Sequence, residues 1–381
     1  MESFFSRIKS YFSGDYGGRY LELILKEVGV FDGGVGAALF PKGLKDGIRF
    51  NKAKHRFEVE CRFVVPNTKG AERIADIAVV EVDSDEIIGL VEIKYEDHKQ
   101  PTNAAQLMDY IAYSSKHGVP FVYLTQYYPP SSDLDALRES QSRHFLYSDI
   151  AQELDQKNHL SRLLIEYFKE NGLMYEQIDI ELLGKLLIRF FNPQRGHGKI
   201  RNIEHMTNLI PETFRQVLQN MRLLSSEIRH CFVGIDEKSR QPSIDFCLQP
   251  KYNKKKIAAL VKDSESFDDI EPDSPARSGG RLCVYAMQSL YSGQDRDNNW
   301  LYVEYGFLFN MDVGLSEPSI DCYAKVLGKN IKDEIYDDKR CKANVLMDKG
   351  KAVSDLRHVI GSVFERAKKY AVIKSYIPSL E

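Results

Sequence analysis

No apolar run in this 381-residue chain approaches the roughly 18 residues that a membrane span needs. The opening Met-Glu-Ser-Phe-Phe-Ser-Arg lacks the charged-then-apolar layout of a signal peptide. A cytoplasmic protein with no membrane partner is therefore expected. The six cysteines (Cys61, Cys231, Cys247, Cys283, Cys322 and Cys341) include no C-x-x-C pair, so structural zinc has no support in the sequence. They read as small, buried or half-buried hydrophobic residues. The glycine clusters Gly14–Gly18 and Gly33–Gly36 are followed by no Gly-Lys-Ser/Thr, which excludes a phosphate-binding P-loop. No Gly-x-Ser-x-Gly elbow is present. The nine histidines form no His-x-x-x-His pair on an identifiable helix, which argues against a zinc hydrolase.

Hydrophobic residues make up 43% of the chain, enough to build a substantial core. The length allows two domains, or one large domain with an insertion. Net charge is only −3, so any nucleic-acid contact must come from local positive charge. Such clusters exist. Lys42, Lys45, Arg49, Lys52, Lys54 and Arg56 are opposed only by Asp46. Two smaller groups are Arg195 to Arg201 and Lys251 with Lys254, Lys255 and Lys256. Any one cluster is equally compatible with a solvated surface. The first carries more weight because it precedes the acidic motif below.

Leu21, Ile24, Leu25 and Val28 repeat at helical spacing and predict a helix over 20–28, stopped by Gly29. Gly33, Gly34 and Gly36 then read as a flexible loop leading into the basic segment. Strands are expected over 56–65, 74–82 and 87–95, the last two joined by a hairpin turn at Asp83-Ser84-Asp85. A helix follows from its N-cap Thr102 to about Lys116, with Gly118 as its stop. A strand over 119–125 completes a strand–helix–strand crossover, which requires a parallel pair.

Residues 134–168 read as helical and charged, 182–191 as a buried helix and 212–224 as another helix. Strands are then expected over 228–233, 243–248, 282–288, 300–309 and 320–326, and a last helix over 354–370. Asp263 to Gly280, rich in Asp, Ser, Pro and Gly, reads as a loop or disordered insert. No internal repeat is visible. The division implied is an N-terminal α/β domain over 1–150 and an α+β C-terminal domain over 151–381.

The chemistry concentrates between Ile74 and Tyr110. Asp76 heads an otherwise apolar strand, Asp-Ile-Ala-Val-Val. In Leu90-Val-Glu-Ile-Lys94, alternation puts Glu92 and Lys94 on one face. A buried Glu–Lys pair costs desolvation and adds little stability. Metal and phosphate ligation is the better account of three charges on two core strands. Asp76 and Glu92 are carboxylates of the kind Mg²⁺ prefers, with Mn²⁺ as a substitute. Such an ion lowers the pKa of a water and offsets phosphate charge. Lys94 would orient or deprotonate that water, or stabilise the transition state. Gln106 and Tyr110 lie one helical turn apart and share a face, which Tyr113 and His117 continue. Arg73 is placed to meet a phosphate or to flank the hairpin as a surface residue, and His98 reads as a surface-loop histidine.

This pattern resembles the PD-(D/E)xK nuclease superfamily. Asp76 matches the first acid, with Ala75 where the family name has Pro, and Glu92-Ile93-Lys94 matches the second element. The Gln-x-x-x-Tyr helix is similar to that of the RecB-like branch, where it contacts DNA near the scissile phosphate. The likeness covers about residues 15–128. It implies a restriction-endonuclease-like core, a mixed sheet flanked by helices, with the backbone carbonyl of Ile93 also reaching the metal. It further implies an acid on the first helix or strand. Glu22 is the candidate, and Glu27 and Glu60 are rivals.

The function expected is Mg²⁺-dependent hydrolysis of DNA phosphodiester bonds. Duplex DNA is favoured over single strands, and an endonuclease in restriction or anti-phage defence is the context suggested by family analogy. Two alternatives stand beside it: a catalytically silent nuclease fold that binds nucleic acid or directs assembly, and an RNA-directed nuclease. The C-terminal domain is expected to bind substrate, form a homo-oligomer or sense a trigger. Its aromatic strands around Trp300 to Phe309 read as core rather than as a stacking surface.

Overall fold

Five strands form the first sheet, in the order β1-β2-β3-β4-β5: β1 (His55–Val64), β2 (Glu72–Glu81), β3 (Ile87–Lys94), β4 (Phe121–Thr125) and β5 (Ser142–Leu146). The computed structural model describes residues 17–31, 33–40, 51, 53–94, 104–138, 140, 142–177, 183, 203–232, 243–248, 269–272, 282–292, 300–311, 319–328, 331, 334–341 and 348–370. The chain divides into two units, Met1–Tyr175 and Glu176–Glu381.

In the first unit, β1, β2 and β3 pair antiparallel, whereas β3, β4 and β5 run parallel. The parallel pairs require crossovers, which α3 (Ala104–His117) and α4 (Ser131–Arg138) supply. Helix α1 (Gly17–Phe31) buries Leu21, Ile24, Leu25 and Val28 in one cluster with Ile77, Val79, Val91 and Ile93 of the sheet. On the other face, Leu107, Tyr110 and Ile111 of α3 share a cluster with Ala78, Val80, Leu90 and Phe121. The result is a mixed α/β layer structure with helices on both faces of the sheet.

Several expectations change here. Gly33–Leu39 is a helix, α2, rather than a loop, and buries Val35, Ala38 and Leu39 in the α1 cluster. The stretch 134–168 is not continuously helical. It contains α4, the strand β5, then α5 (Tyr147–Glu153) and α6 (His159–Glu170). Tyr147, Leu164, Tyr167 and Phe168 pack in the α1 cluster, so the helices beyond residue 150 belong to the first unit's core.

The second unit holds a six-stranded sheet, ordered β11-β10-β9-β8-β6-β7. Its strands are β6 (Ser243–Leu248), β7 (Asp269–Pro272), β8 (Leu282–Ser292), β9 (Leu301–Met311), β10 (Ser319–Gly328) and β11 (Ile335–Cys341). Among the described strands of this sheet, only β6 and β7 pair in parallel. Helices α7 (Ile203–Ser226) and α8 (Lys349–Ala367) pack on the sheet, with Phe214 meeting Phe309 edge to face. Tyr305, Phe307 and Phe309 are fully buried, as the core reading of this segment required. Residues 229–231 form a 3₁₀ turn, not a strand, and β7 lies inside the segment read as an insert. The helix expected over 182–191 lies outside the described residues, apart from the buried Leu183. Among the described residues no helix is long and apolar enough to cross a membrane.

Candidate active site

A change of face in two neighbouring strands positions the first acid. Odd-numbered residues of an extended strand share one face. Yet in β1, Phe57 and Val59 pack in the α1 cluster, whereas Cys61 and Phe63 pack in the α3 cluster. In β2, Ile77 and Val79 face α1, whereas Ala75 lies in the α3 cluster. The register pairs Val59 with Ile77 and Cys61 with Ala75, bracketing Glu60 and Asp76. Glu60 adopts φ 54°, a left-handed conformation rare for a residue with a Cβ. Both strands therefore turn over at the level of Glu60 and Asp76.

Asp76 sits at that turnover. The β2–β3 ladder ends at the pair Ile77–Val91, and beyond it the Ile93 N–H donates to Asp76 Oδ2 at 2.6 Å instead of to a backbone carbonyl. Leu90 and Lys94 bond to the β4 side, so the alternate residues Val91 and Ile93 face β2. In an extended strand a residue's carbonyl points the same way as its N–H. The Ile93 carbonyl thus faces the gap that Asp76 occupies.

Glu92 is 3% exposed and is gripped by three donors. Lys94 Nζ and Gln106 Nε2 donate to Oε1 at 2.7 and 2.9 Å, and the Tyr110 hydroxyl lies 2.5 Å from Oε2. That hydroxyl is also 2.7 Å from the Ile74 carbonyl, so one proton faces two acceptors. Tyr110 itself is fully buried, stacked on Phe121 and edge-on to Phe63. Gln106 and Tyr110 therefore hold the carboxylate in place, and Tyr110 offers no surface to a polymer.

Burial, the charge of Glu92 and the charge of Glu22 push the Asp76 carboxyl up to about 8, against the pull of the Ile93 N–H and Lys94. This distinguishes the three acids proposed for the last position. Glu22, half-buried on α1, is the one whose charge reaches Asp76. Glu27 is exposed and lies beside Lys26, and Glu60 is exposed on β1.

Tyr147 has no counterpart in the sequence reading. Its ring is fully buried against Phe168, and its hydroxyl reaches the Lys94 carbonyl at 3.4 Å. Burial, then the charges of Asp76 and Glu22, raise its pKa well above the ordinary range. Two buried tyrosines thus flank the acids, Tyr110 in the α3 cluster and Tyr147 in the α1 cluster. The signal that pointed to Tyr147 was the junction of β5 with α5, hidden because β5 read as helix.

The basic residues separate into two groups. Arg73 is engaged through Nε and a terminal nitrogen with Asp109 of α3, at 2.8 and 2.7 Å. Arg56 pairs with Glu58 and Asp85 at the hairpin. Lys54 is exposed. Lys42, Lys45, Arg49, Lys52 and His98 lie outside the described residues.

The donor set suits a hard divalent cation. A carboxylate offers about four lone-pair positions, and donors occupy three of those of Glu92. Asp76 takes the Ile93 N–H on Oδ2, and burial first, then the charges of Glu92 and Glu22, raises its pKa. Among the described residues no three ligand-type side chains stand close enough to enclose an ion directly. Mg²⁺ needs no such cage, because it keeps several waters and takes one or two carboxylates.

No family model, curated protein sequence or solved structure matches the chain.

Proposed function

We propose that the first unit is a metal-dependent nuclease of the PD-(D/E)xK type, which hydrolyses DNA as an endonuclease in restriction or anti-phage defence. The observation that carries this reading is the joint placement of Asp76, Glu92 and Lys94. A buried Glu92 is held by Lys94, Gln106 and Tyr110, and the charge of Glu92 acts on Asp76 at the splayed end of β2 and β3. Structural packing alone gives no reason to bury two carboxylates beside a single lysine.

Asp76, Glu92 and the Ile93 carbonyl would hold Mg²⁺ or Mn²⁺, with Glu22 reaching it directly or through water. The ion supplies charge neutralisation at the phosphate and an acidified water. Lys94, with its ammonium 2.7 Å from Glu92, is the group that orients the attacking water or meets the developing negative charge. Gln106 and Tyr110 keep Glu92 in one rotamer, so that its remaining lone pair has a defined direction. Exposed Lys54, with the basic run before it, would contact phosphates along the duplex.

The test is a substrate panel: supercoiled plasmid, linear duplex, single-stranded DNA and RNA, each with Mg²⁺, Mn²⁺ or EDTA. Nicking of closed circular plasmid only with a divalent cation supports the proposal. Cleavage that needs a free end removes the endonuclease reading, and cleavage of RNA alone removes the DNA reading.

A further inference from the structure

The second unit contains two thiols in contact. Strands β10 and β11 pair antiparallel, with Ile320 opposite Cys341 and Cys322 opposite Lys339. Cys322 and Cys341 are therefore diagonal neighbours on one face of the sheet. Their sulfurs lie 3.1 Å apart, and the side chains are 0% and 4% exposed. That separation is about 1 Å from a disulfide bond length, so closure needs only a small shift of the two Cβ–S bonds.

The local chemistry favours one sulfur as the reactive one. The two sulfurs share one hydrogen bond in which either can be the donor, and that bond holds the Cys341 thiol below its ordinary range and pushes Cys322 up. Among the described residues, strand β11 is the edge of its sheet and pairs only with β10. Edge strands open locally at lower free-energy cost than central ones, which admits a small oxidant.

We propose that Cys322 and Cys341 are a redox modification site, closing to an intramolecular disulfide when a hydroperoxide reaches them. The Cys341 thiolate attacks one peroxide oxygen and breaks the O–O bond. The remaining oxygen leaves as water or an alcohol after taking a proton, and Cys341 becomes a sulfenic acid. The Cys322 sulfur then attacks the Cys341 sulfur, forms the S–S bond and expels hydroxide, which leaves as water with the Cys322 proton. Two thiols lose two electrons and two protons, and the peroxide is reduced. The crosslink staples the edge strand β11 to β10, independently of what the first unit does.

The test uses the full chain, treated with hydrogen peroxide, blocked with iodoacetamide, unfolded and digested under non-reducing conditions. A linked peptide pair containing Cys322 and Cys341 is expected, lost on reduction with dithiothreitol. Backbone amides of β11 should exchange about tenfold more slowly, or slower still, in the oxidised protein. In Cys322→Ser, a sulfenic acid at Cys341 should be trapped by dimedone. Three results overturn the proposal: alkylation of both thiols after peroxide treatment, over-oxidation of either without a link, or a link only between Cys247 and Cys283, which are register partners in the β6–β8 ladder. The wild-type peptide map decides the matter even if the variant does not fold.

Discussion

The phenol oxygen of Tyr110 lies 2.5 Å from Oε2 of Glu92, between two buried side chains. A buried carboxylate held this way is costly to disturb. Replacing Tyr110 with Phe keeps the stack on Phe121 and removes only the donor. Urea denaturation should show a loss of about 1–3 kcal/mol, and metal-dependent cleavage should fall with it. An unchanged unfolding midpoint and rate would mean that Glu92 needs no support from this hydroxyl.

The Glu92–Lys94 pair gives a sharper discrimination between stability and activity. Lys94→Ala leaves the Glu92 charge with two neutral donors and should cost about 1–3 kcal/mol, less than a fully buried pair, since Lys94 is partly exposed. Adding Glu92→Gln to Lys94→Ala should recover most of that stability and none of the activity. Recovery of cleavage in the double variant would contradict the assigned roles.

The pH dependence follows from Asp76. Its folded pKa is raised from 3.8 to about 8, so the folded state binds this proton more tightly than the unfolded chain. The contribution is fully present below the ordinary carboxylate range and is lost as pH rises through about 8. Asp76→Asn should therefore gain stability relative to the natural protein as pH increases across that window. Mg²⁺ should raise the melting temperature of the natural protein more above that pKa than below it. A stability difference independent of pH would show that Asp76 titrates normally.

Glu22 and Glu27 offer a paired control. Glu22→Gln should weaken Mn²⁺ affinity in a calorimetric titration by roughly tenfold or more. Glu27→Gln, on an exposed residue beside Lys26, should leave it unchanged. Equal effects, or none from Glu22, would remove Glu22 from the site.

Tyr147→Phe tests the site from the α1 side. The hydroxyl contact to the Lys94 carbonyl is long at 3.4 Å, so stability should change by less than about 1 kcal/mol. The rate constant kcat should fall while KM stays the same, because the variant shifts the lysine strand and not the substrate surface. A change in KM alone would assign Tyr147 to substrate binding.

Much of the first unit was legible because apolar alternation and helical spacing reflect burial directly. The strands carrying Asp76 and Glu92, the crossover helix, and the shared direction of Glu92 and Lys94 all follow from periodicity. The turnover at Glu60 was not legible, since a left-handed φ at a residue other than glycine leaves no compositional mark. Strict alternation would confine Asp76 to one face, whereas the turnover lets it feel acids from both. Glu22 and Glu27 flank the apolar stripe of α1 on opposite sides, so spacing alone could not choose between them. Strand β5, Ser-Arg-His-Phe-Leu, is short and carries no apolar run, so it was lost among the helices around it, and Tyr147 with it. The edge strand β11, Ile-Tyr-Asp-Asp-Lys-Arg-Cys, exposes polar residues that mask a strand pattern, and the contact of Cys322 with Cys341 was hidden with it.

The central claim is that Asp76, Glu92 and Lys94 form a metal-dependent phosphodiesterase centre. The most direct measurement is relaxation of supercoiled plasmid by natural protein, Asp76→Ala and Lys94→Ala at equal concentration, with folding of each checked by circular dichroism. The account predicts nicking by the natural protein in Mg²⁺, none in EDTA, and a loss of about a hundredfold or more in each folded variant. Cleavage by the variants at the natural rate, or cleavage that persists in EDTA, would contradict it.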